Sequence, residues 1–559
     1  MRSSRPRPDR FVPSSGSSSG SPAGRRRALT ALACTAGLTL AACSSVGSGS
    51  SGGQTGNAVG ETAGSVKQGG TVTVALSAEP DRLDPTLARS LYSRYVFNAM
   101  CEKLYDLDAK VAIVPQLASA LPRTSEDGKT VTIPLRSGIK FADGTPLDAD
   151  AVKTSLERHL TLKESARVSD LGPMESVEAT NPTTVTIRLK TPFAPLVAAL
   201  SDRAGMIMSP TQLKAKGDDF GSAPVCVGPF KFAKRVPQNS IDLVKDPNYY
   251  DAKNVHVDKL SYRIITDASI RAANLKSGDA DVADTVSTED VDQLKSDSTL
   301  SVLESPSLGY QGVTFNVGNA NGVGSAPKVG SAPYAKDKRV RQAFEYAIDR
   351  TLLVKTVFNG LFDPACGPIS PASSFSSDAV QACRQHDPAK AKQLLQQAGV
   401  PVPYKFSMLT SNTPDSLQFA QALQSMVKDG GFDMKIEPVE FTSLLDLQDQ
   451  GKYEAVQIGW SGRPDPDGNI STFVATGGSQ NVAGYSSPKV DALLDQARQS
   501  QNAAQRKEIY GQLQTVLQDD AALVYIYRQR NLTGVSKKLS GVQVFPDGII
   551  RVAKAGFTQ

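Results

Sequence analysis

The chain has 559 residues, 40% hydrophobic and 21% charged, an ordinary soluble composition with enough length to bury a large core in two or more lobes. Its net charge of +5 is concentrated at one end: Met1 to Ala42 holds seven arginines and one acid, so the remainder is close to neutral. A near-neutral body offers no basic footprint for nucleic acid.

Residues 1–24 carry no pattern that assigns them a role. Arg25 to Arg27 then precede the apolar run Ala28–Ala42, the order of charge, apolar core and small residues that marks a secretory signal peptide over 1–42. The run is too short to span a bilayer. Its end, Leu40-Ala41-Ala42-Cys43, resembles the bacterial lipobox, which implies diacylation of Cys43 and a membrane attachment through lipid; plain cleavage after Ala42 is the other reading. Arg25-Arg26 also permits twin-arginine export. Residues 43–69 are rich in Gly and Ser and nearly uncharged, a flexible tether.

The body starts with the alternation of a strand, Thr71–Ser77, repeated at Lys129–Arg136. Ala142 to Pro146 reads as a turn, after which Asp148 or Asp150 is placed to cap a helix. Asn248–Ile265 reads as a loop followed by a strand, and Asp267–Val286 as a helix stopped at Gly278 followed by a short strand. Arg339–Phe358 and Lys489–Gln499 have apolar residues at helical spacing. Strands and helices interleave from end to end, so the fold class is α/β. Val456–Ile470 reads as a strand running into a loop broken by Gly and Pro. It holds the only tryptophan, Trp460, with Arg463 three positions on.

With Cys34 in the signal segment and Cys43 in the lipobox, four cysteines remain. Cys366 and Cys383 bracket a Pro/Ser-rich loop and pair naturally, leaving Cys101 with Cys226. Free thiols, or a metal site on Cys383-x-x-His386, are the alternatives. Enzyme signatures fail on context. Gly16-x-Ser18-x-Gly20 precedes the signal segment, Gly47-x-Gly49-x-x-Gly52 has no strand before it, and Ser137-x-x-Lys140 has no helix to aim its two groups. His159, His256 and His386 are scattered, so no general base is evident, and neither a catalytic residue nor a resident metal or cofactor is expected.

The segments Ala78–Ser90, Pro115–Pro122, Leu135–Arg158, Val227–Phe232, Lys336–Arg350 and Gly484–Arg498 together resemble, in order, the extracellular solute-binding proteins of the oligopeptide/dipeptide type, the receptors of ABC importers. The resemblance covers about Gly70 to Gln559. It implies two α/β lobes joined by a hinge: lobe one over 70–314 with a subdomain at about 109–200, lobe two over 315–523, and a return to lobe one over 524–559. It also implies a monomeric, lipid-anchored receptor that closes on a small solute and passes it to an ABC permease. A short peptide or peptide-like carboxylate is the expected solute; an opine, a sugar or a metal chelate is the alternative, and a secreted hydrolase a remote one. In peptide-binding relatives an acidic residue after the tryptophan often pairs with the peptide amine. Here Arg463 stands at about that position, so the expectation is a guanidinium gripping a carboxylate, against a local salt bridge to Asp465 or Asp467. Trp460 and Ser461 are expected beside it, faced by Ser90, Tyr92, Tyr310 and Thr314 from lobe one.

Overall fold

A computed structural model describes residues 65–559 together with the two-residue strand Ala58–Val59. The signal segment and Cys43 lie outside the described residues.

Two sheets organise the body. The first has seven strands in the order 300–305, 531–536, 282–283, 71–76, 259–264, 240–245, 230–236. Strand Thr71–Leu76 runs parallel to both of its neighbours. The second sheet has six strands in the order 363–364, 523–528, 310–315, 455–460, 404–411, 432–439. One buried core lies on the first sheet and its subdomain, and a second covers the second sheet and continues onto Ala75, Ala283, Leu300 and Leu532 of the first. In the second core Phe344 meets Phe315, Phe406 and Phe432 edge-to-face at 5.3–5.7 Å, contacts that contribute about 0.5–1.5 kcal/mol each beyond burial. A separate four-stranded antiparallel sheet, spanning 123–189, is covered by the helix Ala149–Thr161 and forms a subdomain of the first lobe.

The chain passes between the sheets twice, between Ser305 and Tyr310 and between Arg528 and Asn531. This corrects the assignment of Tyr310 and Thr314 to lobe one, and it moves the return to lobe one from 524 to beyond Arg528. Tyr310–Phe315 is paired on both sides with second-lobe strands, so both residues belong to lobe two. The first crossing is tightly packed: a Cβ on Gly309 would run into the Trp460 carbonyl.

Local chemistry explains the helix ends. Asp148, not Asp150, caps Ala149–Thr161, accepting from the Ala151 N–H at 3.0 Å. Gly278 stops Ala268–Ser277 at φ 83°, a left-handed position that glycine occupies without Cβ strain. The helical pattern over 339–358 divides into Lys338–Tyr346 and Arg350–Val357. The break comes where the Asp349 carboxylate accepts from Leu352 N–H at 2.9 Å and starts a new helix. The expected loop after Trp460 is shorter than predicted, because Asp467–Val474 is helical once Pro464 and Pro466 are passed.

Both expected disulfides are present. Cys101–Cys226 has a Cα separation of 4.9 Å and lies in the first lobe; Cys366–Cys383 has one of 5.2 Å and lies in the second. The second bridge removes the Cys383 thiol from the Cys383-x-x-His386 alternative. No helix among the described residues is long and apolar enough to cross a membrane.

Candidate functional site

A cavity of about 260 Å³ lies between the two sheets and is walled by both. Six of the seven expected residues line it: Ser90, Tyr92, Tyr310, Thr314, Trp460 and Ser461. From the first lobe, Ser90 caps the helix Leu91–Met100 by accepting from Ser93 N–H at 3.2 Å, and it donates to Asp81 at 2.6 Å. Tyr92, one residue into that helix, sets its ring edge-on to Phe441 of the second lobe at 5.7 Å.

From the second lobe, Tyr310 and Trp460 are directly opposite on antiparallel strands, and Thr314 lies four residues further along. Asn469, from the helix after the loop, ties this wall together. Its side-chain oxygen accepts from the indole N–H at 3.1 Å and from the Arg463 N–H at 2.6 Å. Its amide donates to the Arg463 carbonyl at 2.9 Å, and its own carbonyl accepts from the Tyr310 hydroxyl at 3.3 Å.

Arg463 does not line the cavity. Its guanidinium lies over the Trp460 ring, 4.1 Å from the centroid, and its Nε reaches Asp202 of the first lobe at 2.5 Å. Both side chains are less than a tenth exposed. Asp202 also accepts from Arg94 Nε at 3.1 Å, and Arg94 donates to Ser461 Oγ at 3.1 Å. Burial by itself would raise the Asp202 carboxyl, but Arg463, Arg94 and Arg203 hold it well below the usual carboxylate range. The expected grip on a ligand carboxylate is thus replaced by an ion pair between lobes. The local alternative is excluded too, since Asp465 pairs with Arg506 at 2.7 and 2.8 Å and Asp467 with Arg498 at 2.7 Å.

The charged side chains that do line the cavity are Arg89, Arg271 and Asp415. None was evident from the sequence. Arg89 and Asp415 flank ordinary helix starts, and Arg271 reads as one polar residue of an amphipathic helix. Arg89 is ion-paired with Asp449 of the second lobe. Further hydrogen bonds join the lobes: Gln418 Nε2 to Glu289 at 3.1 Å, Ser479 N to Ser169 Oγ at 3.1 Å, and Ala194 N to the Arg498 carbonyl at 2.7 Å. The rest of the wall is mostly hydroxyl, amide and aromatic, including Ser411, Gln457, Gln480 and Phe473. Such a wall can enclose and orient a small polar solute.

Residues 112–481 match the family described as bacterial extracellular solute-binding proteins, family 5 Middle. The glutathione-binding protein GsiB of Pectobacterium atrosepticum is 28% identical over 502 residues, covering 87% of this chain and 94% of that protein. GsiB of Escherichia coli (strain K12) is 28% identical over 488 residues, covering 85% and 92%. Among solved structures, the PBP AgaA from A.tumefacien R10 in complex with agropinic acid superposes with a TM-score of 0.79 at 27% identity, covering 88% of this chain and 99% of that one. The periplasmic binding protein DppA from Helicobacter pylori in complex with peptide STSA gives 0.80 at 24% identity, covering 88% and 99%, a likeness of fold. These relatives are binding proteins rather than enzymes.

Proposed function

The chain belongs to the family 5 bacterial extracellular solute-binding proteins, and from that premise we propose that it captures a short peptide or peptide-like solute between its lobes and delivers it to an ABC permease. The observation that carries this reading is the cavity of about 260 Å³ lined by both lobes and walled by hydroxyls, amides and aromatic faces. Small-molecule sites run from about 300 to 1,000 Å³. This cavity falls just below that range, which favours a solute of di- or tripeptide size over a long peptide. The relatives named for glutathione support the same size class. Capture proceeds by lobe closure, with the interlobe ion pairs formed in the closed state. The receptor is held outside the cytoplasm by a lipid on Cys43 and acts as a monomer. Ser90, Tyr92, Tyr310, Thr314, Trp460 and Ser461 contact the solute.

A second reading, a non-peptide solute, is favoured by one observation: AgaA, at 27% identity, was solved with agropinic acid. Calorimetry of the processed protein against pooled dipeptides, pooled tripeptides, glutathione and agropinic acid tests the choice, with mass spectrometry of any co-purifying solute alongside. Saturable binding of a peptide or glutathione is expected. Binding of agropinic acid alone, or a sugar or metal chelate as the only co-purifying solute, selects the second reading, and no saturable binding with no co-purifying solute overturns both.

A further inference from the structure

The three charged side chains of the cavity wall are unequally served. Arg89 has Asp449. Arg271 donates to the carbonyls of Ile265, Thr266, Asp284 and Thr285 at 2.8–3.2 Å and lies 3.5 Å from the Asp284 carboxylate. Asp415, the one carboxylate in the wall, makes neither a hydrogen bond nor an ion pair among the described residues.

We propose that Asp415 receives a cationic nitrogen of the solute, an ammonium or a guanidinium, and so sets specificity for amine-bearing solutes. This rests on reading the interlobe cavity as the solute site. Asp415 is half-buried in the wall of the cavity and has no protein partner among the described residues, so a solute nitrogen entering there meets an uncommitted carboxylate. No protein side chain among the described residues pairs with it, and the start of a helix favours its charge. It is the second residue of the helix Pro414–Asp429, whose N-cap, Thr413, makes no side-chain capping bond. The surrounding field points the same way. The charged groups acting on Asp415 are Arg271 against the three carboxylates of Asp267, Glu289 and Asp290, and Arg271 is itself offset by Asp284. An added cation therefore meets a net attraction at this end of the cavity, and an added anion does not. Burial raises the Asp415 carboxyl above its ordinary range, as an unpaired carboxylate should respond.

The test measures binding of Ala-Ala, Ala-Phe and glutathione, each with its N-acetylated derivative, and of agmatine as a cation without a peptide bond. The proteins are the full processed chain, Asp415→Asn and Asp415→Glu. At least one amine-bearing probe should bind wild type. Acetylation should weaken a bound peptide probe by ~30-fold or more, and Asp415→Asn should weaken the free amine similarly. The acetylated probe should lose little more on Asp415→Asn, because both changes remove one interaction. Asp415→Glu, which keeps the charge, should retain part of the affinity. Acetylated probes binding as tightly as free amines would overturn the proposal, as would unchanged affinity in Asp415→Asn, or no binding by any amine-bearing probe. Agmatine binding that weakens in Asp415→Asn while the peptides fail would uphold the anchor and overturn the peptide reading. If Asp415→Asn does not fold, acetylation against wild type decides alone.

Discussion

Arg463 Nε and Asp202 Oδ2 stand 2.5 Å apart and join the second lobe to the first. The pair is embedded in a cluster of like and unlike charges, since Arg94 and Arg203 also face Asp202. Replacing Arg463 leaves Asp202 with two arginines, whereas replacing Asp202 leaves three guanidiniums crowded without their anion. Arg463→Met should therefore lower thermal stability modestly but speed release of a bound solute by about 10-fold or more, as a lost interlobe charge pair does. Asp202→Ala should cost about 3–5 kcal/mol of stability, the order found when a buried pair is broken. Stopped-flow release and denaturant unfolding measure the two effects. An unchanged release rate in Arg463→Met would mean the pair does not tie the lobes.

Trp460 is the only indole in the chain, forms part of the cavity wall and lies under the Arg463 guanidinium. A solute filling the cavity should shift its emission, and Arg463→Met should shift the emission of the free protein by removing the stacked cation. A spectrum unaltered at saturating solute would take Trp460 out of the binding wall.

Glu102 is buried beneath two tyrosines, accepting from Tyr249 at 2.6 Å and Tyr250 at 2.9 Å. Burial pushes its carboxyl up to about 7, although both tyrosine hydroxyls and Lys103 pull the other way. An acid with a raised folded pKa binds its proton more tightly when folded. Its stabilising contribution is thus complete below the unfolded value, about 4.3, and is lost as pH rises through about 7. Glu102→Gln should gain on wild type by roughly 1–3 kcal/mol between pH 5 and pH 8. Unfolding free energies measured across that range would run parallel if the reading were wrong.

The two disulfides close loops of very different size, with sequence separations of 125 and 17. On the chain-entropy model, losing Cys101–Cys226 should cost ~5 kcal/mol and losing Cys366–Cys383 ~3 kcal/mol. Paired alanine variants compared by denaturant unfolding should preserve that order.

Cys43→Ser should leave the precursor unprocessed or release soluble protein into the medium, as cell fractionation with metabolic labelling by palmitate would show. Correctly processed Cys43→Ser that stays in the membrane would remove the lipid anchor.

The sequence by itself determined the α/β class, a helix start at Asp148 or Asp150, the helix from Asp267, the stop at Gly278 and both cysteine pairings. These depend on residues close in sequence, or on so few candidates that pairing is nearly forced. It also placed six residues of the cavity wall, because a tryptophan at a strand mouth is a local signal and the resemblance carried Ser90, Tyr92, Tyr310 and Thr314, the last two on the wrong lobe. The role of Arg463 depended on a partner 261 positions away, since Asp202 lies in an unremarkable Ser-Asp-Arg stretch. Asp415 was hidden for a related reason: at the start of a helix an acid is ordinary, and only its lack of a partner among the described residues makes it informative. A charged side chain's task is set by what stands within a few ångströms of it once distant segments are packed together. That neighbourhood is a property of the tertiary structure, and it alone decided that Arg463 is occupied and Asp415 is not.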